Sequence, residues 1–328
     1  MAIKLGLYDK TLERLGDRIR GLGIEFEMLP FNKEGQFIID GKVTSPGAVD
    51  LDYLWFSADI ALDKIQPVAF DLVLACRSVG VLQTFNAGLD APVYKAAADK
   101  GIKINNSSAQ SVAISEYVLA HVLNVFHPME ERQKLQSDKQ WKITPFREIA
   151  GTHWIIVGFG PIGKATAHLA KAFGATTTVI RRSPATSEIV DRAGTLSDIG
   201  QFLGDADVIV LACPLNAQTA GFANASFFDA LKPGCVLVNI ARGGLVDDAA
   251  MIAALDSGQL GTAVLDVFHE EPLPADNPLW SHPKVRVTGH TSFSGSGTRG
   301  RWDELFFENI QRYANNAPLL NEVDPKDL

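Results

Sequence analysis

Short apolar or alternating runs recur along the chain at 2–8, 24–29, 37–39, 53–56, 79–84 and 102–105, then again at 154–157, 177–180, 208–212, 236–240, 263–267 and 285–287. Their lengths and bounding turns, such as Asn32-Lys-Glu-Gly35, predict β-strands. Between them, residues 11–21, 92–100, 111–126, 164–173 and 299–316 carry apolar side chains at helical spacing or are rich in alanine, and 130–140 is polar and helical in character. Strands alternating with helices predict an α/β fold of doubly wound parallel sheets. The pattern restarts near residue 152, so two such units are expected, bridged by 111–126 and 130–140. The last helix follows the last strand of the second sheet and is placed to pack back on the first unit.

At 328 residues, 46% hydrophobic and 21% charged, the chain is long enough for two cores. Its net charge of −8, without a basic block, lacks the cation density that neutralising nucleic-acid phosphates requires, so no DNA or RNA partner is expected. Cys76, Cys213 and Cys235 each lie in an apolar run without C-x-x-C or His spacing. That pattern suits buried reduced thiols and a cytosolic location rather than disulfides or a metal site. The first residues already read as a strand rather than a leader, and no apolar run approaches the ~18 residues of a membrane span.

Candidate chemistry begins at the strand that opens the second half. His153-Trp-Ile-Ile-Val157 is followed by Gly158, Phe159, Gly160, Pro161, Ile162 and Gly163, and then by the Ala-rich stretch 164–173. The glycines alone would only predict a tight turn. A strand before and a helix after G-x-G-x-x-G predict dinucleotide binding: the first glycine turns the chain, the second lets backbone approach a pyrophosphate, and the third lets helix pack on strand. The helix N-terminus adds free N–H groups and a positive dipole end. About 20 residues on, such folds place an acid against the adenosine ribose hydroxyls. Arg181, Arg182 and Ser183 stand there instead. They would attract the 2′-phosphate that a carboxylate repels, so NADP(H) is expected ahead of NAD(H).

Three polar residues lie where later strands end, the rim at which ligands of parallel sheets bind. They are Arg242 in Asn239-Ile-Ala-Arg-Gly-Gly-Leu-Val-Asp-Asp248, Glu271 in Asp266-Val-Phe-His-Glu-Glu-Pro-Leu273, and His290 in Thr288-Gly-His-Thr-Ser292. Each alone reads as a surface charge, a loop residue or a structural donor. Converging on one cleft, they would form a reaction centre, because an imidazole bonded to a carboxylate can give or take a proton near neutral pH while a guanidinium grips a carboxylate with a bidentate fork.

These phrases resemble the D-isomer-specific 2-hydroxyacid dehydrogenase family over nearly the whole chain. The matching pieces are Gly158-Phe-Gly-Pro-Ile-Gly163, Cys213-Pro-Leu-Asn-Ala-Gln-Thr219, Val238-Asn-Ile-Ala-Arg-Gly-Gly-Leu-Val-Asp247, Leu265-Asp-Val-Phe-His-Glu-Glu-Pro272 and Gly289-His290, with Asn86-Ala-Gly-Leu-Asp90 and Gly101-Ile-Lys-Ile-Asn105 in the first half. The resemblance implies two Rossmann-like domains, the substrate domain discontinuous over 1–104 plus 292–328 and the NAD(P)-binding domain inserted at 105–291. It makes Arg242 the carbonyl and carboxylate binder, His290 the proton donor and Glu271 its partner. The coenzyme would further meet Cys213, Pro214, Thr219, Ile240 and Ala241, with Asp266 orienting the nicotinamide amide, and backbone at Ala87 and Gly88 would hold the substrate carboxylate. The sequence departs from the family where Gly289 replaces a proline, Leu89 a valine and Arg181 an acid. Trp55, with Phe56, ends a first-half strand and reads either as a wall for a bulkier 2-keto acid or as a core aromatic.

The resulting expectation is NADPH-dependent reduction of a 2-keto acid, of the glyoxylate/hydroxypyruvate class or bulkier, to the D-2-hydroxy acid. A homodimer is typical of the family, with helices 111–126 and 130–140 as the expected interface. The alternative is a nucleotide-sensing, co-repressor-like binding protein on the same fold, against which the retention of Arg242, Glu271 and His290 argues. Oxidation of formate or phosphite on the same scaffold is a third reading that depends on the pocket.

Overall fold

In the computed structural model, residues 2–328 are described. The chain divides into two compact units, one ending at Gln110 and resuming over Ser296–Leu328, the other spanning Ser111–Gly295.

The first unit is built on a seven-stranded sheet of β1 (Ile3–Tyr8), β2 (Phe26–Phe31), β3 (Phe37–Ile39), β4 (Lys42–Thr44), β5 (Asp50–Phe56), β6 (Ser78–Thr84) and β7 (Lys103–Asn105), in the order β4-β3-β2-β1-β5-β6-β7. β1, β2, β5, β6 and β7 pair in parallel, while β3 and β4 add an antiparallel edge. The predicted turn before β3 closes because Asn32 Oδ1 accepts from the Glu34 and Gln36 amides at 3.1 and 2.9 Å, the usual job of an Asx side chain. β4 and the helices Ala58–Leu62 and Gln66–Ala75 escape the periodicity argument. The first two are very short, and Gln66–Ala75 is mostly apolar on every side, so it carries no stripe to detect.

The helix Thr298–Ala314 belongs to this first unit, as its position after the last strand allows. It buries Phe306, Phe307 and Ile310 in one cluster with Leu5, Leu7, Tyr53 and Trp55. At roughly 1.5–3 kcal/mol per buried large apolar side chain, these three residues alone hold the C-terminal segment to β1 and β5. A polar clamp reinforces them. Arg14 donates to Asp59 at 2.8 Å and to Asp303 at 3.0 Å, so the buried Asp59 carboxylate is paired rather than stranded.

The second unit carries β8 (His153–Val157), β9 (Thr176–Ile180), β10 (Arg192–Gly194), β11 (Val208–Leu211), β12 (Cys235–Asn239), β13 (Leu260–Leu265) and β14 (Val285–Val287), all parallel, in the order β10-β9-β8-β11-β12-β13-β14. Numbered within the unit this is 3-2-1-4-5-6 with one more strand at the edge, the dinucleotide-binding order, whose direction of winding reverses between β8 and β11. Every residue of β8, β11 and β12 is buried, which explains why these strands read as apolar runs instead of alternating ones. One face is covered by the helices Ser111–Phe126 and Pro161–Ala172. Ile114, Val118, Val122 and Phe126 of the first and Ala167 and Ala170 of the second pack with Trp154 and Ile156. The stretch 111–126, read as a bridge, is therefore also part of this core.

Register matters more to the site than any single strand. Val157 is level with Leu211, Leu211 with Asn239, Asn239 with Leu265, and Leu265 with Val287, while Ile180 is level with Val157. Six strands thus end on one line. Whatever follows each of them emerges along the same rim of the sheet.

Candidate active site

Gly158 follows Val157 at that rim with φ of 103°, and a Cβ on it would lie 2.5 Å from the Ala212 carbonyl oxygen. A Cβ on Gly163 would lie 2.1 Å from the Gly158 oxygen. These two glycines are demanded by the protein itself, one by backbone conformation and a close neighbouring strand end, the other by helix packing. Gly160 is different: a Cβ there would meet nothing within 4 Å. The fold leaves open space in front of the middle glycine, at the N-cap of the 12-residue helix Pro161–Ala172, which has no side-chain cap. Uncapped N–H groups beside a backbone left bare fit a pyrophosphate.

Arg181, Arg182 and Ser183 follow β9 and are exposed. The Arg181 amide donates to Gly194 at 3.0 Å, which fixes its backbone. Its guanidinium lies 5.8 Å from the centre of the Phe159 ring, and Lys164 Nζ lies 5.9 Å from the same ring. Two cations therefore flank the aromatic residue inside the glycine turn, an arrangement suited to an extra phosphate. Lys164 was not among the expected cations, because a lysine early in a helix gives no sign of what it faces. After β11, Cys213 is buried and burial pushes its thiol up to about 11, so it stays a neutral thiol rather than a nucleophile. The turn from Pro214 to Thr219 is held by Thr219, whose hydroxyl donates to the Pro214 carbonyl at 2.7 Å and accepts from the Asn216 amide at 2.8 Å.

The phrase around Arg242 has a local cause for nearly every letter. Asn239, 1% exposed, ends β12 with its amide nitrogen on the Arg242 carbonyl at 2.9 Å and its oxygen on the Ala241 amide at 3.1 Å. Ile240 and Ala241 are buried. Asp247 closes the phrase as N-cap of the helix Asp248–Ser257, accepting from the Ala250 amide at 3.1 Å. The Arg242 guanidinium donates to the Ala241 carbonyl at 2.6 Å. Across the turn, His269 Nε2 donates to the Val246 carbonyl at 2.8 Å, which ties the segment after Arg242 to the loop that carries Glu271.

Glu271 and His290 are in direct contact. Nδ1 of His290 lies 2.7 Å from Glu271 Oε2, while Oε1 accepts from the Phe268 amide at 2.9 Å. The carboxylate is therefore fixed at both oxygens, and one of them fixes the ring. The Phe293 ring stands nearly perpendicular to the imidazole, 6.3 Å between centres. Asp266, completely buried, is bonded to the same loop: it accepts from Thr288 Oγ1 at 2.6 Å, the Thr291 amide at 2.8 Å and the Ser292 amide at 2.9 Å. This loop-anchoring work of Asp266 is additional to anything the sequence suggested.

In the first unit, Asn106 Nδ2 donates to the Ala87 carbonyl at 2.8 Å and Asn86 Nδ2 to the Tyr94 hydroxyl at 2.8 Å, so the stretch containing Ala87 and Gly88 is braced from both sides. Trp55 requires a correction. It is 1% exposed and stacks flat on Phe306 with ring centres 3.7 Å apart. Phe56 is equally buried, in a separate cluster. Both are core aromatics, because the inner strand β5 is covered on its two faces. Neither is available as a pocket wall. The three cysteines are unpaired, two of them buried and Cys76 half-buried. Among the described residues no His, Cys, Asp and Glu cluster could hold a metal, and no helix is long and apolar enough to cross a membrane.

A doubly wound sheet with a bare glycine turn at one strand end, and a carboxylate-bound imidazole after the edge strand four positions away on the same rim, defines the class of nicotinamide-dependent oxidoreductases. Comparison with known proteins agrees. Residues 119–292 match the model of the D-isomer specific 2-hydroxyacid dehydrogenase, NAD binding domain. A glyoxylate/hydroxypyruvate reductase A from Yersinia enterocolitica is 36% identical over 184 residues, which cover 56% of this chain and 58% of that protein. One from Salmonella paratyphi B is 33% identical over 240 residues, covering 71% and 76%. A D-isomer specific 2-hydroxyacid dehydrogenase from Xanthobacter autotrophicus, solved in complex with NADPH and MES, superposes with a TM-score of 0.75 at 26% identity, covering 100% of this chain and 99% of that one. The chain belongs to the D-isomer specific 2-hydroxyacid dehydrogenase family.

Proposed function

We propose that this protein reduces a 2-keto acid of the glyoxylate/hydroxypyruvate class, or a bulkier one, to the D-2-hydroxy acid with NADPH. The observation that carries the reading is the 2.7 Å contact between His290 and Glu271 at the rim where the coenzyme turn also opens. The names of the Yersinia and Salmonella relatives and the NADPH bound in the Xanthobacter relative support the substrate class and the coenzyme.

A nicotinamide held at this rim would supply the hydride whose electron pair forms the new C–H bond at the carbonyl carbon. As the π pair of the carbonyl moves onto oxygen, His290 gives that oxygen the proton carried on Nε2. Glu271, accepting from Nδ1, keeps the ring oriented and stabilises the imidazolium before transfer. Arg242 offsets the negative charge growing on the oxygen and binds the substrate carboxylate through its planar fork of N–H donors. Arg181, Arg182 and Ser183, with Lys164 beside them, take the 2′-phosphate. A homodimer in the cytosol completes this reading.

The test is turnover of glyoxylate, hydroxypyruvate and phenylpyruvate with NADPH and with NADH. A higher kcat/KM with NADPH on at least one keto acid is expected, and Arg181→Asp should shift the NADPH/NADH ratio toward NADH by about tenfold or more, the worth of one charge-assisted phosphate contact. Absence of turnover with either coenzyme would overturn the assignment, and an NADH preference in the unaltered protein would overturn the coenzyme part.

A further inference from the structure

His290 holds a left-handed backbone conformation, φ 49°, which a non-glycine residue keeps only where its surroundings over-determine it. The loop around it is short and partly exposed, so its own packing cannot supply that constraint. Asp266 supplies much of it. The Asp266 amide is tied to the Asn239 carbonyl at 3.1 Å, its carbonyl accepts from the His290 amide at 2.8 Å, and its carboxylate takes three donors from residues 288, 291 and 292.

One of those donors leads elsewhere. Thr288 Oγ1 lies 2.6 Å from Asp266 Oδ1 and also 2.6 Å from the Tyr117 hydroxyl, 171 residues away in sequence. A carboxylate only accepts, so the Thr288 proton must point at Asp266 and the bond from Tyr117 must run the other way, phenol to threonine. The result is a directed chain, Tyr117 O–H to Thr288 O–H to Asp266. Its far end is rigid. Tyr117 sits on the helix Ser111–Phe126, whose Ile114, Val118 and Val122 are buried in the core, and the His121 ring lies against the phenol ring with centres 4.2 Å apart. Burial pushes the phenol up to about 12, so it stays a donor throughout the range in which a reductase works.

We propose that Tyr117 and Thr288 are positioning residues for His290, acting through Asp266, in the reaction proposed above, on whose reading this inference rests. Glu271 fixes the imidazole from its Nδ1 side. The Tyr117–Thr288–Asp266 chain fixes the backbone beneath it, by transferring the rigidity of a core helix to the loop that carries the proton donor. Removing the Thr288 hydroxyl leaves the phenol without its acceptor and the carboxylate with one donor fewer, and the loop relaxes from the conformation that aims Nε2.

The test compares Thr288→Val, which keeps the shape, with Thr288→Ser, which keeps the hydroxyl, and with Tyr117→Phe. Thr288→Val should lower kcat by about 10- to 100-fold, the scale of a misaimed reacting group, with NADPH affinity within about threefold of the unaltered protein. Thr288→Ser should restore kcat to within about threefold, and Tyr117→Phe should fall between the two. Amide hydrogen exchange read in the same proteins should be about tenfold faster at residues 290–292 in Thr288→Val while the strands of the sheet stay protected. Unchanged kcat in Thr288→Val, equal losses in the Ser and Val variants, or parallel losses of kcat and NADPH affinity would overturn the proposal, as would unchanged exchange at 290–292. The exchange measurement needs no turnover, so if no keto acid is reduced the enzymatic assignment fails while the hydroxyl chain is still decided.

Discussion

Gly243 presses against Phe268 so closely that a Cβ built on it would fall 2.0 Å from the Phe268 carbonyl carbon and 2.3 Å from the His269 nitrogen. The residue after Arg242 is thus in backbone contact with the loop that presents Glu271. The glycine is required by tertiary proximity rather than by its own φ.

Gly243→Ala is therefore expected to push the two loops apart and to separate Arg242 from the Glu271–His290 pair. Because displacements of about 1 Å can cost ~10²-fold in rate, kcat/KM should fall by about that factor in protein that remains folded by circular dichroism. An alanine variant with unaltered kinetics would remove the argument that this contact sets the site.

His290→Gln keeps a hydrogen-bonding side chain but cannot carry a proton between states. For the proton-donor role proposed for His290, whose loss costs typically 10²–10⁴-fold, kcat should drop within that range while NADPH affinity, measured by fluorescence titration, stays nearly unchanged. Glu271→Gln should lose less, because the ring remains and only its orientation and charge partner are weakened.

Stability should depend on pH through His153, a buried ring on β8 lying 2.7 Å from the Thr178 hydroxyl and bonded to Arg192, with Asp205 3.1 Å from its Nδ1. Burial first, and the Arg192 charge second, hold its pKa below the ordinary histidine value. The folded protein therefore binds this proton less readily than the unfolded chain does. The associated stability is present above about pH 6.5 and is lost as pH falls from there through the folded value. Urea unfolding at pH 7.5 and 5.5 should show a larger loss for the unaltered protein than for His153→Gln. Equal losses would assign the acid sensitivity to other groups.

Trp55 separates a core role from a pocket role. Stacked on Phe306 at 1% exposure, it should cost about 3–5 kcal/mol of unfolding free energy when changed to Ala. Trp55→Phe should retain most of that stability and leave the ranking of keto acids unaltered. A change in that ranking without loss of stability would restore the pocket reading.

The strand–glycine–helix succession, the restart near residue 152 and the polar residues at strand ends follow from the sequence alone. Periodicity, turn chemistry and the positive φ of Gly158 are local properties, written within a few residues of where they act. For the same reason Asn239 as a turn clasp and Asp247 as a helix cap are legible in retrospect. Register, by contrast, is a property of pairs of strands. Only the level alignment of Val157, Leu211, Asn239, Leu265 and Val287 brings separate motifs onto one rim. The ambiguity of Trp55 at a strand end was likewise resolved only by a helix some 250 residues further on, when Phe306 stacked against it. The hydroxyl chain from Tyr117 to Asp266 has no sequence signature at all, since a tyrosine on a core helix and a threonine after an edge strand are each unremarkable until the fold places their oxygens within hydrogen-bond distance. The sequence determined which groups the protein possesses. Packing determined which of them meet, because contacts between distant residues are chosen by the burial of the whole sheet and not by the residues that make them.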